Sequence, residues 1–154
     1  MARQKVLVPY NFTIQDQKAM DFIMGTFQTV EEMEFTLFHV YEPLPEIETG
    51  SNAVLGRLKG TMMSLARDLR GLESYLKGAR SKLLDNGFSE ERVAYIFKAR
   101  EKDIPDEIAE TVLKGGYQMV LLNRKPTKIT RMFGRSISGK LLSTLKDTAI
   151  CIMN

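Results

Sequence analysis

The sequence predicts an α/β fold built on a five-stranded, mainly parallel sheet. Five short apolar segments of strand length are spread along the 154 residues, and segments with helical spacing of apolar residues separate them. Parallel strands need crossovers, and right-handed crossovers place helices on both faces of the sheet. With 44% hydrophobic and 27% charged residues, the composition excludes disordered, collagen-like and disulfide-rich chains. We therefore expect one doubly wound, Rossmann-like domain over residues 1–154.

The first two strands and the helix between them follow from local signals. Residues 5–9 form an apolar run that ends in proline, which is typical of a strand buried on both faces. Thr13 suits a helix N-cap, and apolar residues follow it at helical spacing. Residues 35–41 predict the second strand, which the Pro43-Leu44-Pro45 turn closes.

A long helix is predicted from about residue 57 to residue 85, after an irregular loop over residues 46–56. Asn86 and Gly87 supply its stop signal. A helix of this length extends about 43 Å, which is more than a five-stranded sheet needs as cover. Either the whole apolar stripe packs on the sheet, or one end projects and pairs with another subunit. The stripe has the alternating spacing of four and three that defines a heptad seam: Leu58, Met62, Leu65, Leu69, Leu72, Leu76, Ala79 and Leu83.

The carboxyl-terminal half supplies three more strands and two helices. Residues 93–97, 119–122 and 149–153 are short apolar runs that predict strands. A helix precedes the fourth strand and ends at Gly115 and Gly116. A final helix, with apolar residues at helical spacing from Ile137, leads into the last strand.

Charge is distributed unevenly along a chain whose net charge is +3. Residues 1–56 carry three basic and eight acidic side chains, a balance of −5, whereas residues 123–147 carry seven basic and one acidic, a balance of +6. Such asymmetry indicates an anionic partner for the basic segment, contact between unlike faces of two subunits, or a solvated basic face.

A single Cys and a single His limit the chemistry. One Cys forms no internal disulfide and is too few for a Cys-based zinc site, which favours a reducing cytoplasm. His39 has no second His and no neighbouring nucleophile, so we expect a structural role for it. We expect neither a signal peptide nor a membrane span, because no window approaches the roughly 18 uninterrupted apolar residues of a span. The sequence favours a binding module over an enzyme and predicts no metal site.

Ligands of open α/β sheets lie outside the carboxyl ends of strands where the strand order reverses, here the loops after strands one and four. The first loop, residues 9–13, has no glycine, which excludes the Gly-x-Gly-x-x-Gly dinucleotide fingerprint. The second, residues 123–136, is rich in cations and hydroxyls and leads into a helix N-terminus, which favours anions. We expect a phosphate-bearing small molecule there.

One motif in this region is a false match. Residues 134–140 have the spacing G-x-x-x-x-G-K, but Leu141 replaces the Ser or Thr that would hold magnesium. The run also begins about eleven residues after the fourth strand, whereas a P-loop joins its strand directly to its helix. The sequence therefore excludes a P-loop NTPase.

In element order and length, essentially the whole chain resembles the universal stress protein family. The resemblance rests on the opening strand that ends in residues 9–13, on the second strand that ends in residues 37–41, on the fourth strand with its phosphate-type loop, and on the short last strand. It implies the sheet order 3-2-1-4-5 and a homodimer, often joined through the last strand, here Ala149–Met153. One branch of the family binds ATP.

The motifs of that branch are altered here. Its first motif is Pro-x-Asp-x-Ser; Pro9 and Thr13 fit it, but Asn11 replaces the acid. Its second motif is Gly-x-x-Gly, nine residues, then Gly-Ser or Gly-Thr. Asn123 and Pro126 occupy the two glycine positions, where a Cβ crowds the backbone and proline offers no N–H.

The end of the second motif is altered too. Ser136 and Ile137 take the final pair, and Gly134 comes two residues early. Cationic side chains such as Arg131 remain to bind phosphate.

We therefore expect a cytoplasmic regulatory or binding module, a homodimer, with ATP or another phosphate-bearing ligand as the candidate occupant of the crevice. Two alternatives stay open: an ATP-binding stress protein with weak ATPase activity, and a nucleic-acid-binding protein that uses the basic segment 124–146. The candidate crevice residues are Pro9, Tyr10, Asn11, Val40, Asn123, Arg124, Lys125, Gly134, Arg135, Ser136 and Ser138.

Overall fold

Five strands and four α-helices alternate along the described part of the computed structural model, which covers residues 2–44, 52–123 and 137–154, with only the backbone described over 52–55. The elements are β1 (Gln4–Pro9), α1 (Ile14–Phe27), β2 (Met33–Tyr41), α2 (Asn52–Asp85), a 3-10 turn (Glu90–Arg92), β3 (Val93–Ala99), α3 (Ile104–Gly115), β4 (Met119–Asn123), α4 (Ile137–Thr144) and β5 (Ala149–Met153). The strands begin and end within two residues of their predicted positions.

All five strands are parallel and lie in the order β3-β2-β1-β4-β5. This confirms the predicted fold class and strand order. On one side of β1, Val6 is in register with Phe35 of β2; on the other, it is in register with Met119 of β4. The strand order therefore reverses between β1 and β4, and their carboxyl ends border the crevice in which open α/β sheets bind ligands.

Each face of the sheet has its own hydrophobic core, because side chains alternate between the two faces along a strand. Helices α1 and α2 cover the face that contains Val6, Val8 and Phe35. Helices α3 and α4 cover the face that contains Leu7 and Phe38. All five of these strand residues are buried, as expected for central parallel strands.

The ends of α1 and α3 match the predicted signals. Thr13 is the extended N-cap of α1, with φ −109° and ψ 166°. Gly116 ends α3 in the left-handed conformation, with φ 67°, and its N–H donates to the carbonyl of Val112. Glycine suits this position because it has no Cβ, which in the left-handed region would approach the backbone too closely.

Helix α2 departs from the prediction at its start. It begins at Asn52, within the segment 46–56 that was expected to be a loop. That prediction was wrong for residues 52–56, because Ala53, Val54 and Leu55 are compatible with a helix and a lone glycine, Gly56, costs only about 1 kcal/mol.

The heptad stripe of α2 divides into two parts. Leu76, Ala79 and Leu83 are buried against the sheet. By contrast, no side chain from residue 56 to residue 75 is buried. The alternative in which the whole stripe packs on the sheet is therefore wrong for the amino-terminal part of the helix.

Candidate functional site

The described residues at the carboxyl ends of β1, β2 and β4, where the crevice is expected, differ in exposure. Pro9 and Tyr10 are buried at the end of β1, and Asn11 is exposed in the loop that follows. Val40 near the end of β2 and Asn123 at the end of β4 are half-buried. The hydrogen bond from the Tyr10 N–H to the Phe38 carbonyl (2.8 Å) fixes the loop against β2.

A buried carboxylate, Asp16, joins the two sides of the crevice. It lies in the first turn of α1 and is fully buried. Its Oδ2 accepts hydrogen bonds from the backbone N–H groups of Asn11 (3.1 Å) and Thr13 (2.7 Å). Its Oδ1 accepts one from Nδ2 of Asn123 (2.7 Å), which is 107 residues away in sequence. Asp16 thus holds the β1–α1 loop to the end of β4.

One side-chain atom of Asn123, Oδ1, has no hydrogen-bond partner among the described residues. Its Nδ2 is committed to Asp16, but its Oδ1 is buried and has no hydrogen-bond donor within the described residues. A buried amide oxygen without a donor loses free energy relative to water. A ligand that places a hydrogen-bond donor at this end of β4 would therefore gain a hydrogen bond to Oδ1 of Asn123.

Aromatic rings pack beneath the β1–α1 loop on the α1–α2 face. The ring of Phe12 makes edge contacts with those of Tyr10 (centroids 5.2 Å apart) and His39 (4.7 Å), and His39 stacks on Phe97 at 5.8 Å. Phe12 itself has φ +59°, a left-handed conformation that is strained for a bulky side chain. The packing of its ring against two neighbours offsets this strain and fixes the loop.

His39 is held in one tautomer by this packing. Its Nδ1 lies 2.8 Å from the Tyr10 carbonyl oxygen, so Nδ1 carries the proton and donates it. Burial lowers the pKa of His39 from 6.5, although the hydrogen bond to Tyr10 and the charge of Asp16 act in the opposite direction. Burial, and then Asp16, raise the pKa of the Tyr10 hydroxyl. Both side chains are therefore neutral at pH 7 and form part of the loop's support.

A second buried carboxylate, Glu107, occupies the equivalent position on α3. Its Oε1 accepts from the backbone N–H groups of Glu101 (3.1 Å) and Lys102 (3.0 Å), and its Oε2 pairs with Lys98 at 2.8 Å. Burial raises the pKa of Glu107, but the hydrogen bonds from Lys98, Glu101 and Lys102 outweigh it, so the pKa lies below 4.5.

These two carboxylates determine where an anion can bind. Free N–H groups at a helix N-terminus normally attract phosphate, but Asp16 uses N–H groups just before α1, and Glu107 does the same before α3. The cation Lys140 of α4 pairs with Asp106 at 3.2 Å. Helix α4 begins at Ile137, at the same edge of the sheet.

Six of the eleven predicted site residues lie within the described part of the chain. Pro9, Tyr10, Asn11 and Asn123 come together around the Asp16 network, Val40 flanks them on β2, and Ser138 lies half-buried in the first turn of α4. The other five fall outside the described residues, together with the rest of the basic loop: Arg124, Lys125, Gly134, Arg135 and Ser136.

Sequence reasoning missed Asp16, the most connected residue of the crevice. The signal was present, because Thr13 followed by Asp16 has the spacing of a capping box, in which an acid in the first turn bonds back to the N-cap backbone. What no local spacing indicates is the third contact of this carboxylate, with Asn123.

The described residues contain neither a metal-binding cluster nor a membrane-spanning helix. No group of three or more His, Cys, Asp or Glu side chains there could hold a metal ion. No helix in the same ranges has both the length and the apolar character required to cross a bilayer.

The fold of this chain resembles that of known structures. No protein-family model matches it, and no curated protein matches it in sequence. The structures that do match in fold include the following three of universal stress proteins. One, in complex with cAMP, has 14% identity and a TM-score of 0.65 over 100% of this chain and 98% of the other.

The second, from Archaeoglobus fulgidus in complex with dAMP, has 12% identity and a TM-score of 0.63 over 100% of both chains. The third, a family protein from Arabidopsis thaliana with AMP bound, has 15% identity and a TM-score of 0.56 over 98% of this chain and 92% of the other. The chain therefore has the α/β fold of the universal stress proteins. This confirms the family resemblance at the level of fold.

Proposed function

We propose that this chain is a single-domain, cytoplasmic regulatory module that binds a small adenine nucleotide or a similar anion, and that it has no catalytic activity of its own. The ligand would occupy the crevice between residues 9–13 and 123–138. The observation that carries the proposal is the reversal of strand order between β1 and β4, with Asn11 and Asn123 on its two sides. Structures with the same fold hold cAMP, dAMP and AMP.

The chemistry of the described residues favours a nucleoside with few phosphates. Asn11 presents an exposed amide where the ATP-binding branch has an acid, and an amide can both donate to and accept from a base or ribose. The N–H groups of Asn11 and Thr13 are already bonded to Asp16, so this loop has none of them to offer a phosphate chain. With Asn123 and Pro126 at the glycine positions, the β- and γ-phosphates would gain little.

We propose that two chains associate through β5. This strand lies at one end of the sheet order, so its outer edge has no partner strand among the described residues. An apolar edge strand is exposed to pairing with another chain unless it is covered. Pairing with its counterpart in a second copy would satisfy that edge.

The nucleotide proposal is tested by calorimetric titration of the purified protein with AMP, ADP and ATP, with and without magnesium. We expect all three to bind with similar Kd values. Asn11→Ala should weaken binding about fivefold, because one net hydrogen bond contributes about 1 kcal/mol. Thr29→Ala is the matched control, since Thr29 is exposed in the turn before β2 at the opposite end of the sheet.

Four results would contradict this proposal, and each identifies a different function. ATP recovered by mass spectrometry from the purified protein, or ATP binding far more tightly than AMP, would mean that other residues bind the phosphates in place of the glycines of the ATP-binding branch. Release of phosphate from ATP would favour the weak ATPase. Oligonucleotide binding that falls steeply with salt would favour the basic segment as a nucleic-acid site. Binding of none of these ligands would reject the crevice as a nucleotide site.

A further inference from the structure

The amino-terminal part of α2 extends beyond the sheet. Arg80 donates to the carbonyl of Val93 at the start of β3 (2.7 Å), and Glu73 accepts from the hydroxyl of Tyr95, two residues further along β3 (3.2 Å). Followed toward its start, α2 therefore runs toward the carboxyl end of β3. The 21 residues from Glu73 back to the helix start extend about 31 Å, but the 4 residues from Tyr95 to the end of β3 extend about 13 Å. About 18 Å of helix overhangs the sheet by this comparison.

The overhanging part keeps its apolar stripe exposed. Leu58 and Leu65 are 39% and 37% exposed, and the neighbouring Met63 is 67% exposed. Met62 and Leu69, on the same seam, are half-buried. We call Leu58, Met62, Leu65 and Leu69 the overhang seam: Leu58 and Met62 lie in the overhanging residues, about 52–64 by this comparison, and Leu65 and Leu69 continue the stripe over the end of β3.

This part of α2 contains three glycines and forms no ion pair within the described residues. Gly56, Gly60 and Gly71 each cost up to about 1 kcal/mol relative to alanine. None of the ion pairs among the described residues involves residues 56–75. Helices in proteins owe most of their stability to packing of an apolar face, so the overhang seam needs an apolar partner.

We propose that this partner is the overhang seam of a second copy of the chain, in a short antiparallel coiled coil. The alternating steps of four and three match another helix with the same spacing, which a second copy supplies. In the antiparallel register, Leu58 lies opposite the partner's Leu69, and Met62 lies opposite the partner's Leu65. The same layers repeat on the other side of the two-fold axis, so four apolar layers form.

Charge determines the orientation. In a parallel, in-register pair, Asp68 at a g position would face the partner's Glu73 at the next e position, and this like-charge contact would occur twice. In the antiparallel pair, Lys59 faces the partner's Ala66, and Thr61 faces the partner's Asp68. No like charges meet beside the seam, and the antiparallel arrangement is the favoured one.

The seam contact is separate from the proposed pairing of β5, and it does not rest on nucleotide binding. Each would be a two-fold contact between different surfaces. A chain with two such contacts forms assemblies larger than a dimer. The two interfaces must therefore be tested one at a time.

The test uses the full chain with Ile152→Glu, which removes edge pairing of β5 if that pairing occurs. In this background, Leu65→Glu places a charge at the centre of the seam, and Ser64→Glu places the same charge on the adjacent, exposed residue outside it. We expect light scattering at micromolar concentration to give the mass of two chains for the Ser64→Glu protein and of one chain for the Leu65→Glu protein. Equal masses for the two proteins would overturn the proposal.

Oxidative crosslinking tests the orientation. With Cys151→Ser, the double variant Met62→Cys and Leu65→Cys should form a covalent dimer, whereas Met62→Cys alone should form little. Efficient crosslinking of Met62→Cys alone would indicate a parallel pair and would overturn the antiparallel arrangement.

A single-chain mass for the Ser64→Glu protein, with a melting temperature that drops only in the Leu65→Glu protein, would mean that another part of the same chain covers the seam. That result would also overturn the proposal. The proposal would also be overturned if the chain were isolated bound through its seam to an unrelated protein while the purified chain alone had the mass of one chain.

Discussion

Buried charged side chains hold the loops of this protein in place. Arg92 is 4% exposed and donates to the carbonyls of Met33 (3.1 Å), Gln28 (3.1 Å), Phe27 (2.9 Å) and Val30 (2.7 Å). Arginine suits this role because its planar guanidinium carries five donors in fixed directions. It thereby satisfies carbonyls at the end of α1 and along the approach to β2, at the amino edge of the sheet.

At the carboxyl edge of the sheet, Asp16 and Glu107 hold the loops in place through hydrogen bonds to backbone groups. Each is an acid in the opening turns of a helix, and each accepts two backbone N–H groups of the preceding loop. A charged acceptor makes stronger hydrogen bonds than a neutral one, and the helix dipole favours it there. Their common effect is to make two of the βα loops rigid without a ligand.

Glu107 gives the stability of the fold a defined pH dependence. Because hydrogen bonds hold its folded-state pKa below 4.5, the ionised group stabilises the fold above that pH, and this contribution is lost as the pH falls through the folded-state pKa. Glu107→Gln should lower the free energy of unfolding by roughly 1–3 kcal/mol at pH 7. We expect the difference from the wild-type chain to shrink steadily below pH 4.5.

Urea unfolding at a series of pH values measures this effect. Glu90→Gln is the matched control, because the Glu90 side chain is exposed and its loss should leave the pH profile unchanged. A difference between Glu107→Gln and the wild-type chain that is the same at pH 3 and pH 7 would show that ionisation of Glu107 does not stabilise the fold.

Among the elements, α2 has two regions with different environments. Its carboxyl-terminal part buries Leu76, Ala79 and Leu83 and is continuous with the core. Its amino-terminal part overhangs the carboxyl edge of the sheet, the same edge that carries the candidate crevice. Assembly through the overhang seam would therefore bring a second copy close to the proposed ligand site.

Substitution by alanine should change the stability of the fold in opposite directions at two glycines that are equally uncrowded, Gly78 and Gly116. A Cβ at Gly78 of α2 or at Gly116 after α3 would meet nothing within 4 Å. Gly78 lies inside a helix, so Gly78→Ala should raise the free energy of unfolding by up to about 1 kcal/mol. Gly116 has φ 67°, so Gly116→Ala should lower it by roughly 1–2 kcal/mol.

Thermal unfolding of the two variants beside the wild-type chain checks both signs in one experiment. Each glycine serves as the steric control for the other, since neither position is crowded. Destabilisation by both substitutions would mean that the local backbone conformation does not control their effect.

For the whole molecule, β5 forms one of the two edges of the sheet. Ile152 is 41% exposed there, while Ile150 packs against the core under α3 and α4. If two copies pair through this edge as proposed, Ile152→Glu should convert that dimer into single chains or aggregates, because like charges would meet across a two-fold axis.

Sedimentation of the Leu65→Glu chain, with and without Ile152→Glu, isolates this edge from the overhang seam. The matched control is Leu113→Glu, which places the same charge on an apolar residue of α3 that is 68% exposed. A mass that Ile152→Glu leaves unchanged would exclude β5 as the interface.

Much of the architecture could be read from local sequence. The five strands, the N-cap Thr13 and the glycine stop of α3 were predicted because runs of apolar residues and turn residues act over a few positions. The strand order 3-2-1-4-5 came from the family resemblance. The start of α2 was predicted too late because Gly50, Ser51 and Asn52 indicate a loop by residue type, whereas the helix begins at Asn52.

By itself, the sequence determined the fold class and the strand positions, and it predicted the edge of the sheet at which we propose that a ligand binds. Only the tertiary structure decided that Asp16 joins Asn11 to Asn123 and that the amino-terminal part of the α2 stripe is not buried. The reason is physical: strands and helices arise from contacts within a few residues. The partners of a buried carboxylate, and the point where a helix passes the end of a sheet, depend on distances between segments that lie far apart in the chain.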